Sequence, residues 1–235
     1  MYKRQPTHIA VLFDGEHENE RTELNADYKA NRVDYSQTPE EDSPFSQLPD
    51  VYAALDYMGI KHTETTVCET DDWIAGYAHT YGDNTEVIVA SFDSDFFQLI
   101  TENVSILRYR GDNTVICTPA YLREKFGIEP SQYADFKSLT GDSSDNIKGA
   151  DKVGPKTASS LLSEFGNLEN IILNAAPIKK PSIRESIIRN ADRLRTNYKL
   201  IKLEGTVPLP FTMKELPYTY DGITTNEVLK GIGVK

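Results

Sequence analysis

Two apolar runs that each stop at a carboxylate constrain this chain more than any other feature. His8 to Phe13 reads HIAVLF and ends at Asp14-Gly15; Val87 to Phe92 reads VIVASF and ends at Asp93-Ser94-Asp95. Continuous apolar runs of this kind suit strands covered on both faces, as in parallel sheets flanked by helices. In open α/β sheets, ligands bind beyond the carboxyl ends of the strands. Between the runs, Asp50 to Met58 places Val51, Ala54, Leu55 and Met58 on one helical face, and Asp71 to Thr80 places Trp73, Ile74 and Tyr77 at helical spacing. Val104–Leu107 and Thr114–Cys117 flank Arg110-Gly111-Asp112-Asn113, the pattern of a hairpin.

Residues 16–49 are rich in Glu, Asp, Asn, Ser and Pro with few apolar anchors, which predicts a mobile excursion, partly helical at best. After Pro119 the pattern turns helical, with Pro130 at a helix start, and a short helix is expected near Thr225 to Ile232. The fold class that follows is α/β with a mostly parallel sheet and flanking helices. An acidic core is expected over 1–140, a basic helical region over 141–207 and a tail over 208–235.

The 235 residues suit one good-sized domain, or one with a small appendage, and 39% hydrophobic residues are enough for a core. No apolar run approaches the roughly 18 residues of a membrane span, and the N-terminal stretch reads as a strand rather than a signal peptide. Cys68 and Cys117 lack any CxxC pattern, which argues against a disulfide scaffold or thiolate zinc site and fits a reducing cytoplasm. The net charge of −11 argues against non-specific polyanion binding over the whole surface. It hides a partition: Lys148 to Lys202 holds 11 Lys/Arg against 5 Asp/Glu, a local +6. An acidic part joined to a basic part suits a metal-dependent enzyme acting on a polyanion.

Four acidic groups stand at expected strand ends or helix starts: Asp14; Glu69 with Asp71 and Asp72 (ETDDW); Asp93 with Asp95 (FDSDF); and Asp142 with Asp145 (TGDSSDN). For any single pair, helix capping is the simpler reading. Taken together they favour metal binding, because convergent carboxylates repel unless cations sit among them. Oxygen ligands without His or Cys suit Mg²⁺ or Mn²⁺ rather than zinc. Two such ions about 4 Å apart would activate a water and stabilise a phosphodiester's leaving oxygen.

The ordered set of strings resembles the 5′ nuclease family, the 5′–3′ exonuclease domain of bacterial DNA polymerase I and the phage and cellular flap endonucleases, from about Gln5 to Leu203. QPTHIAVLFDG is similar to the family's second core strand; Arg21 and YKANR (Tyr28 to Arg32) to its arch; ETDDW, FDSDFFQL and LTGDSSDNIKG to its later carboxylate motifs; and VGPKTASSLLSEFG to its helix–hairpin–helix. The resemblance implies a PIN-like fold with a flexible arch over about 16–49 and a C-terminal helix–hairpin–helix. It implies a first metal site at Asp14, Glu69 and Asp71, and a second at Asp93, Asp95, Asp142 and Asp145. Asp72 could serve either. Lys29 and Arg32 would grip the phosphate near the scissile bond. Arg21, Lys148, Gly149, Lys152, Gly154, Lys156 and Thr157 would bind duplex backbone, with a potassium ion at the hairpin carbonyls.

Aligned this way, the family's first strand and its aspartate precede the chain, and weakened activity is expected; aligning Phe13-Asp14-Gly15 with that first motif is the alternative. Lys152 stands where the family's hairpin usually has glycine, Lys148 where proline is common, and Asn19-Glu20 is more acidic than the arch pattern. His8, His17, His62 and His79 show no metal spacing, Trp73, Tyr77 and Tyr81 suit core packing, and no ATP-binding phosphate loop is present. The expected function is a divalent-metal-dependent 5′–3′ exonuclease or flap endonuclease acting on branched or 5′-ended DNA in replication and repair. The alternatives are a catalytically impaired duplex-binding protein and, less favoured, a structural relic.

Overall fold

The computed structural model describes residues 5–15, 20–31, 38–39, 42–43, 45–65 and 68–234. Arg32, His17 and Asn19 lie outside them. In chain order the elements are β1 (Ala10–Phe13), α1 (Glu20–Leu24), α2 (Leu48–Tyr57), β2 (Lys61–Glu64), α3 (Thr70–Tyr81), β3 (Val87–Ala90), β4 (Val104–Arg108), β5 (Val115–Cys117), α4 (Pro119–Phe126), α5 (Tyr133–Thr140), β6 (Gly141–Asp142), β7 (Ile147–Lys148), α6 (Pro155–Phe165), α7 (Leu168–Leu173), α8 (Pro181–Arg189), α9 (Ala191–Ile201) and α10 (Thr225–Gly231). Packing divides the chain into two compact units: Met1–Glu18, Val33–Trp73 and Pro208–Lys235 form one, and Asn19–Arg32 with Ile74–Val207 the other. Among the described residues, no helix is long and apolar enough to cross a membrane.

In the first unit, β1 pairs in parallel with β2, from Ala10 opposite Lys61 to Phe13 opposite Glu64. The sequence KHTE gives no strand signal, so β2 is found only in the structure; its charged ends are exposed and its middle is half-buried. β1 is likewise half-buried along its length, because a two-stranded sheet covers less of each strand than the apolar run predicted. The strand stops where expected. Thr65 N–H donates to the Phe13 carbonyl at 2.9 Å, and Gly15 N–H to Thr65 Oγ1 at 3.1 Å. A Cβ at position 15 would stand 2.1 Å from the Thr65 carbonyl oxygen, so the turn beyond Asp14 requires glycine. The proline-bearing tail returns to the start of β1 through a bridge between His8 and Pro217.

In the second unit, β3 and β4 are parallel, and β4 turns back antiparallel onto β5, with Ile106 opposite Cys117 and Arg108 opposite Val115. This is the predicted hairpin. Phe96, Phe97, Leu99 and Ile100 follow β3 directly into the core beside Ile106, Leu122 and Leu139. Helix α5 is buried from Tyr133 through Leu139. Asn197 of α9 donates to the carbonyls of Ser138 (3.2 Å) and Lys148 (3.0 Å), tying α5 to the second strand of the β6–β7 hairpin. Helix α6 turns Ala158, Leu161 and Leu162 inward.

Within the stretch expected to be mobile, residues 25–31 are docked onto this unit. Tyr28 is the apolar anchor, buried among Ala134, Ile147, Leu200 and Ile201. Three long-range hydrogen bonds fix its neighbours: Lys29 N–H to the Asp145 carbonyl (3.0 Å), Asn31 Nδ2 to the Ser143 carbonyl (2.9 Å) and Asn146 Nδ2 to the Asp27 carbonyl (2.9 Å). A single aromatic flanked by polar residues leaves no periodicity to read, which is why composition alone missed this. Tyr28→Ala is expected to cost about 3 kcal/mol of stability and to accelerate hydrogen exchange at the Lys29 amide more than at amides of α6.

Candidate metal and nucleic-acid sites

In the first unit, Glu69, Asp71 and Asp72 follow one another at the N-terminal end of α3 and Asp14 reaches it from β1, but no three of their ligand oxygens close to within 4.8 Å of one another. Asp14 leaves β1 and its Oδ1 accepts the Thr70 N–H at 2.9 Å, so a distant strand end caps the helix. Glu69 is buried immediately before the helix, and its carbonyl accepts the Asp72 N–H at 3.0 Å. Asp71 and Asp72 occupy the first turn, half-buried. A helix N-terminus is the favourable end for such anions.

The second unit brings three carboxylates closer. Ligand oxygens of Asp95, Asp142 and Asp145 all lie within 4.8 Å of one another, and among the described residues this is the group of three that does so. Asp95 starts a 3₁₀ turn over Asp95–Leu99 just past β3, whose Gln98 donates to the carbonyls of Asp95 (2.9 Å) and Ile201 (3.0 Å). Asp142 and Asp145 come from the β6–β7 hairpin, and Asp142 Oδ1 accepts both the N–H (2.8 Å) and the hydroxyl (2.5 Å) of Ser144. Asp93 is exposed and bends back to accept the Asp95 N–H at 2.8 Å, which orients the 3₁₀ turn.

Lys137, absent from the sequence-based candidates, reaches into this group from α5. Its Nζ lies 3.0 Å from Asp95 Oδ1 and contacts Asp142 Oδ2. Burial disfavours its charge, but Asp95 and Asp142 outweigh burial and hold its pKa above the ordinary lysine value. At Asp142 burial opposes ionisation, yet Lys137 and Ser144 prevail and lower the pKa. At Asp95 burial dominates over the attraction of Lys137 and, with Asp93 and Asp142 adding repulsion, pushes the pKa up to about 6. Asp95 Oδ1 is buried and, despite the nearby ammonium, accepts no hydrogen bond of good geometry. Three carboxylates this close, with one lysine between two of them, suit a hard divalent cation with oxygen ligands. The available sequence signal for Lys137 was a lone cation inside the otherwise non-basic helix YADFKSLT, five residues before Asp142.

Among the expected DNA contacts, Lys29 takes a left-handed backbone conformation (φ 58°) with its ammonium 4.8 Å from the Tyr28 ring. Arg21 is half-buried in α1. Lys148, Lys152 and Lys156 are exposed, and Lys148 lies 3.9 Å from Asp151. Lys152 has φ 65°, in the left-handed region that glycine adopts at least cost. Gly154 is the N-cap of α6, with Pro155, Lys156 and Thr157 in the first turn. A Cβ on Gly154 would meet nothing within 4 Å, whereas one on Gly149 would stand 2.4–2.5 Å from backbone atoms of Leu139, Thr140 and Gly141. Packing therefore accounts for Gly149 but not for Gly154.

Residues 1–127 match the family model described as 5′–3′ exonuclease, N-terminal resolvase-like domain, and residues 128–222 match that of 5′–3′ exonuclease, C-terminal SAM fold. DNA polymerase I of Lactococcus lactis subsp. cremoris is 36% identical over 220 residues, 92% of this chain and 24% of that protein; the chain thus spans about a quarter of such relatives. The 5′–3′ exonuclease of Buchnera aphidicola subsp. Acyrthosiphon pisum is 33% identical over 215 residues, 88% of this chain and 73% of that protein. Among solved structures, the T5 5′-exonuclease with bound divalent metal ions (zinc) is similar at a TM-score of 0.68 and 26% identity, covering 82% of this chain and 73% of that one.

Replacing Lys137 tests the electrostatics of the second group directly. Lys137→Met leaves buried carboxylates uncompensated and is expected to destabilise the metal-free protein by about 3–5 kcal/mol. Denaturant unfolding with and without Mn²⁺ should show part of that loss restored by the ion.

Proposed function

This chain belongs to the 5′–3′ exonuclease family, and from that premise we propose that it hydrolyses phosphodiesters in branched or 5′-ended DNA with Mg²⁺ or Mn²⁺. The observation that carries the proposal is the convergence of Asp95, Asp142 and Asp145, whose ligand oxygens lie within 4.8 Å of one another. Asp93, Asp95, Asp142 and Asp145 are assigned to one metal group, and Asp14, Glu69, Asp71 and Asp72 to another. Divalent ions held by these carboxylates would supply an activated water and neutralise charge on the leaving oxygen. Lys29 and Arg32 are assigned to the transition-state phosphate.

Arg21, Lys148, Gly149, Lys152, Gly154, Lys156 and Thr157 are proposed to hold duplex backbone. The uncluttered glycine at the start of α6 allows a phosphate to approach first-turn N–H groups, with Lys156 adding charge. A potassium ion at the hairpin carbonyls belongs to the same proposal. So does an arrangement of nuclease core (1–140), duplex-binding region (141–207) and tail (208–235), working in the cytoplasm.

One observation favours a second reading, a duplex-binding protein with impaired cleavage: Lys137 already compensates two of the carboxylates. Incubating the protein with a labelled 5′-flap duplex and Mn²⁺, beside the Asp93→Ala, Asp95→Ala double variant, separates the two. Metal-dependent cleavage at least 100-fold above the variant (on the order of the loss expected for a disabled metal site) supports the enzyme. Binding without cleavage supports the second reading. Lys156→Glu is expected to weaken binding to unrelated duplex sequences equally and to flatten the salt dependence; a sequence-selective loss would contradict the backbone role.

A further inference from the structure

We propose that Phe92, with Arg108 and Arg110, forms a stacking surface for one nucleobase of the DNA strand, one residue from the metal-group aspartate Asp93. The inference rests on the DNA-processing reading above and adds to it a base contact that no carboxylate or hairpin motif supplies. Phe92 follows β3 but does not enter the core as Phe96 and Phe97 do: it is 49% exposed, where Phe96 and Phe97 are 2% and 1%. Two guanidinium groups from the end of β4 and the turn after it lie against its ring. Arg110 Cζ is 5.0 Å and Arg108 Cζ 5.9 Å from the ring centre.

The two arginines differ in what holds them. Arg108 Nη2 donates to the Phe92 carbonyl at 2.8 Å and its guanidinium also lies 5.7 Å from the Phe97 ring, so it braces the loop from beneath. Arg110 is exposed and, among the described residues, makes no ion pair; its side-chain contact is the Phe92 ring. Tyr109, between them, is 69% exposed. In a chain with net charge −11, an unneutralised arginine on a half-exposed aromatic is complementary to a ligand that is itself aromatic and anionic. A nucleotide has both properties: its base stacks on a ring or guanidinium plane, and its phosphate meets Arg110. Stacking of this kind tolerates any base, as a nuclease indifferent to sequence requires.

Binding of a fluorescent 5′-flap duplex in Ca²⁺ tests this without relying on cleavage. Affinities of the wild-type protein, Phe92→Ala and Phe92→Tyr are compared for the intact substrate and for substrates made abasic at each nucleotide flanking the junction in turn. Phe92→Ala is expected to weaken intact binding about tenfold, and Phe92→Tyr to retain it. At one position the abasic change should cost the wild-type protein a similar factor and Phe92→Ala nothing further. Equal abasic losses in both proteins at every position, or undiminished binding by Phe92→Ala, overturn the proposal. If the wild-type protein binds but cleaves nothing in Mn²⁺ while this coupling persists, the hydrolytic reading falls and the stacking surface stands.

Discussion

Like charges held together inside a protein are the constraint around which this structure is arranged. Two carboxylates about 4 Å apart repel by roughly 4 kcal/mol at an effective protein dielectric near 20, and here three lie within 4.8 Å, two of them in buried residues. Lys137 supplies one positive charge against three negative ones. The remaining imbalance is visible at Asp95, where burial and neighbouring carboxylates prevail over the lysine and raise the pKa. A small divalent cation bound here would supply the missing charge and take the carboxylate oxygens as ligands, which neither a second lysine nor a water molecule can do.

The rest of the second unit holds these groups in place against their repulsion. Asp93 orients the 3₁₀ turn that begins with Asp95. Gln98 ties that turn to the end of α9, donating to the Ile201 carbonyl and accepting the Leu203 N–H. Ser144 fixes Asp142. The Lys29 amide closes on the Asp145 carbonyl, so the segment proposed to meet the phosphate is built onto the same hairpin that carries two of the carboxylates. The cation proposed to meet substrate and the anions proposed to hold metal are therefore positioned by one piece of backbone, and Tyr28 is the side chain that seats it.

Much of this was legible in the residues. The strand end at Asp14, the β4–β5 hairpin and the helical spans α2 and α3 follow from apolar periodicity and punctuation, whereas β3 stops at Ala90, short of the run read to Phe92; the ordered carboxylate strings mark the family. Three features were not legible, each because its signal lies in tertiary contacts. β2 is a strand because β1 offers it a partner, not because KHTE favours one. Residues 25–31 are docked through one aromatic and three hydrogen bonds between groups more than 100 positions apart. Lys137 looked like an ordinary helix residue until the fold placed it beside Asp95 and Asp142. Lys152 is a further case: nothing in its residue type signals the positive φ that the hairpin imposes on it.

The central claim is that Asp95, Asp142 and Asp145 are ligands rather than an internal salt-bridge network. Crystals of the protein equilibrated with Mn²⁺ and measured at a wavelength where manganese scatters anomalously test it most directly. The account predicts an anomalous peak about 2.1–2.2 Å from oxygens of these three residues, with the Lys137 ammonium moved off at least one carboxylate. A peak elsewhere, or the three carboxylates still closed on Lys137 with no ion among them, would contradict it.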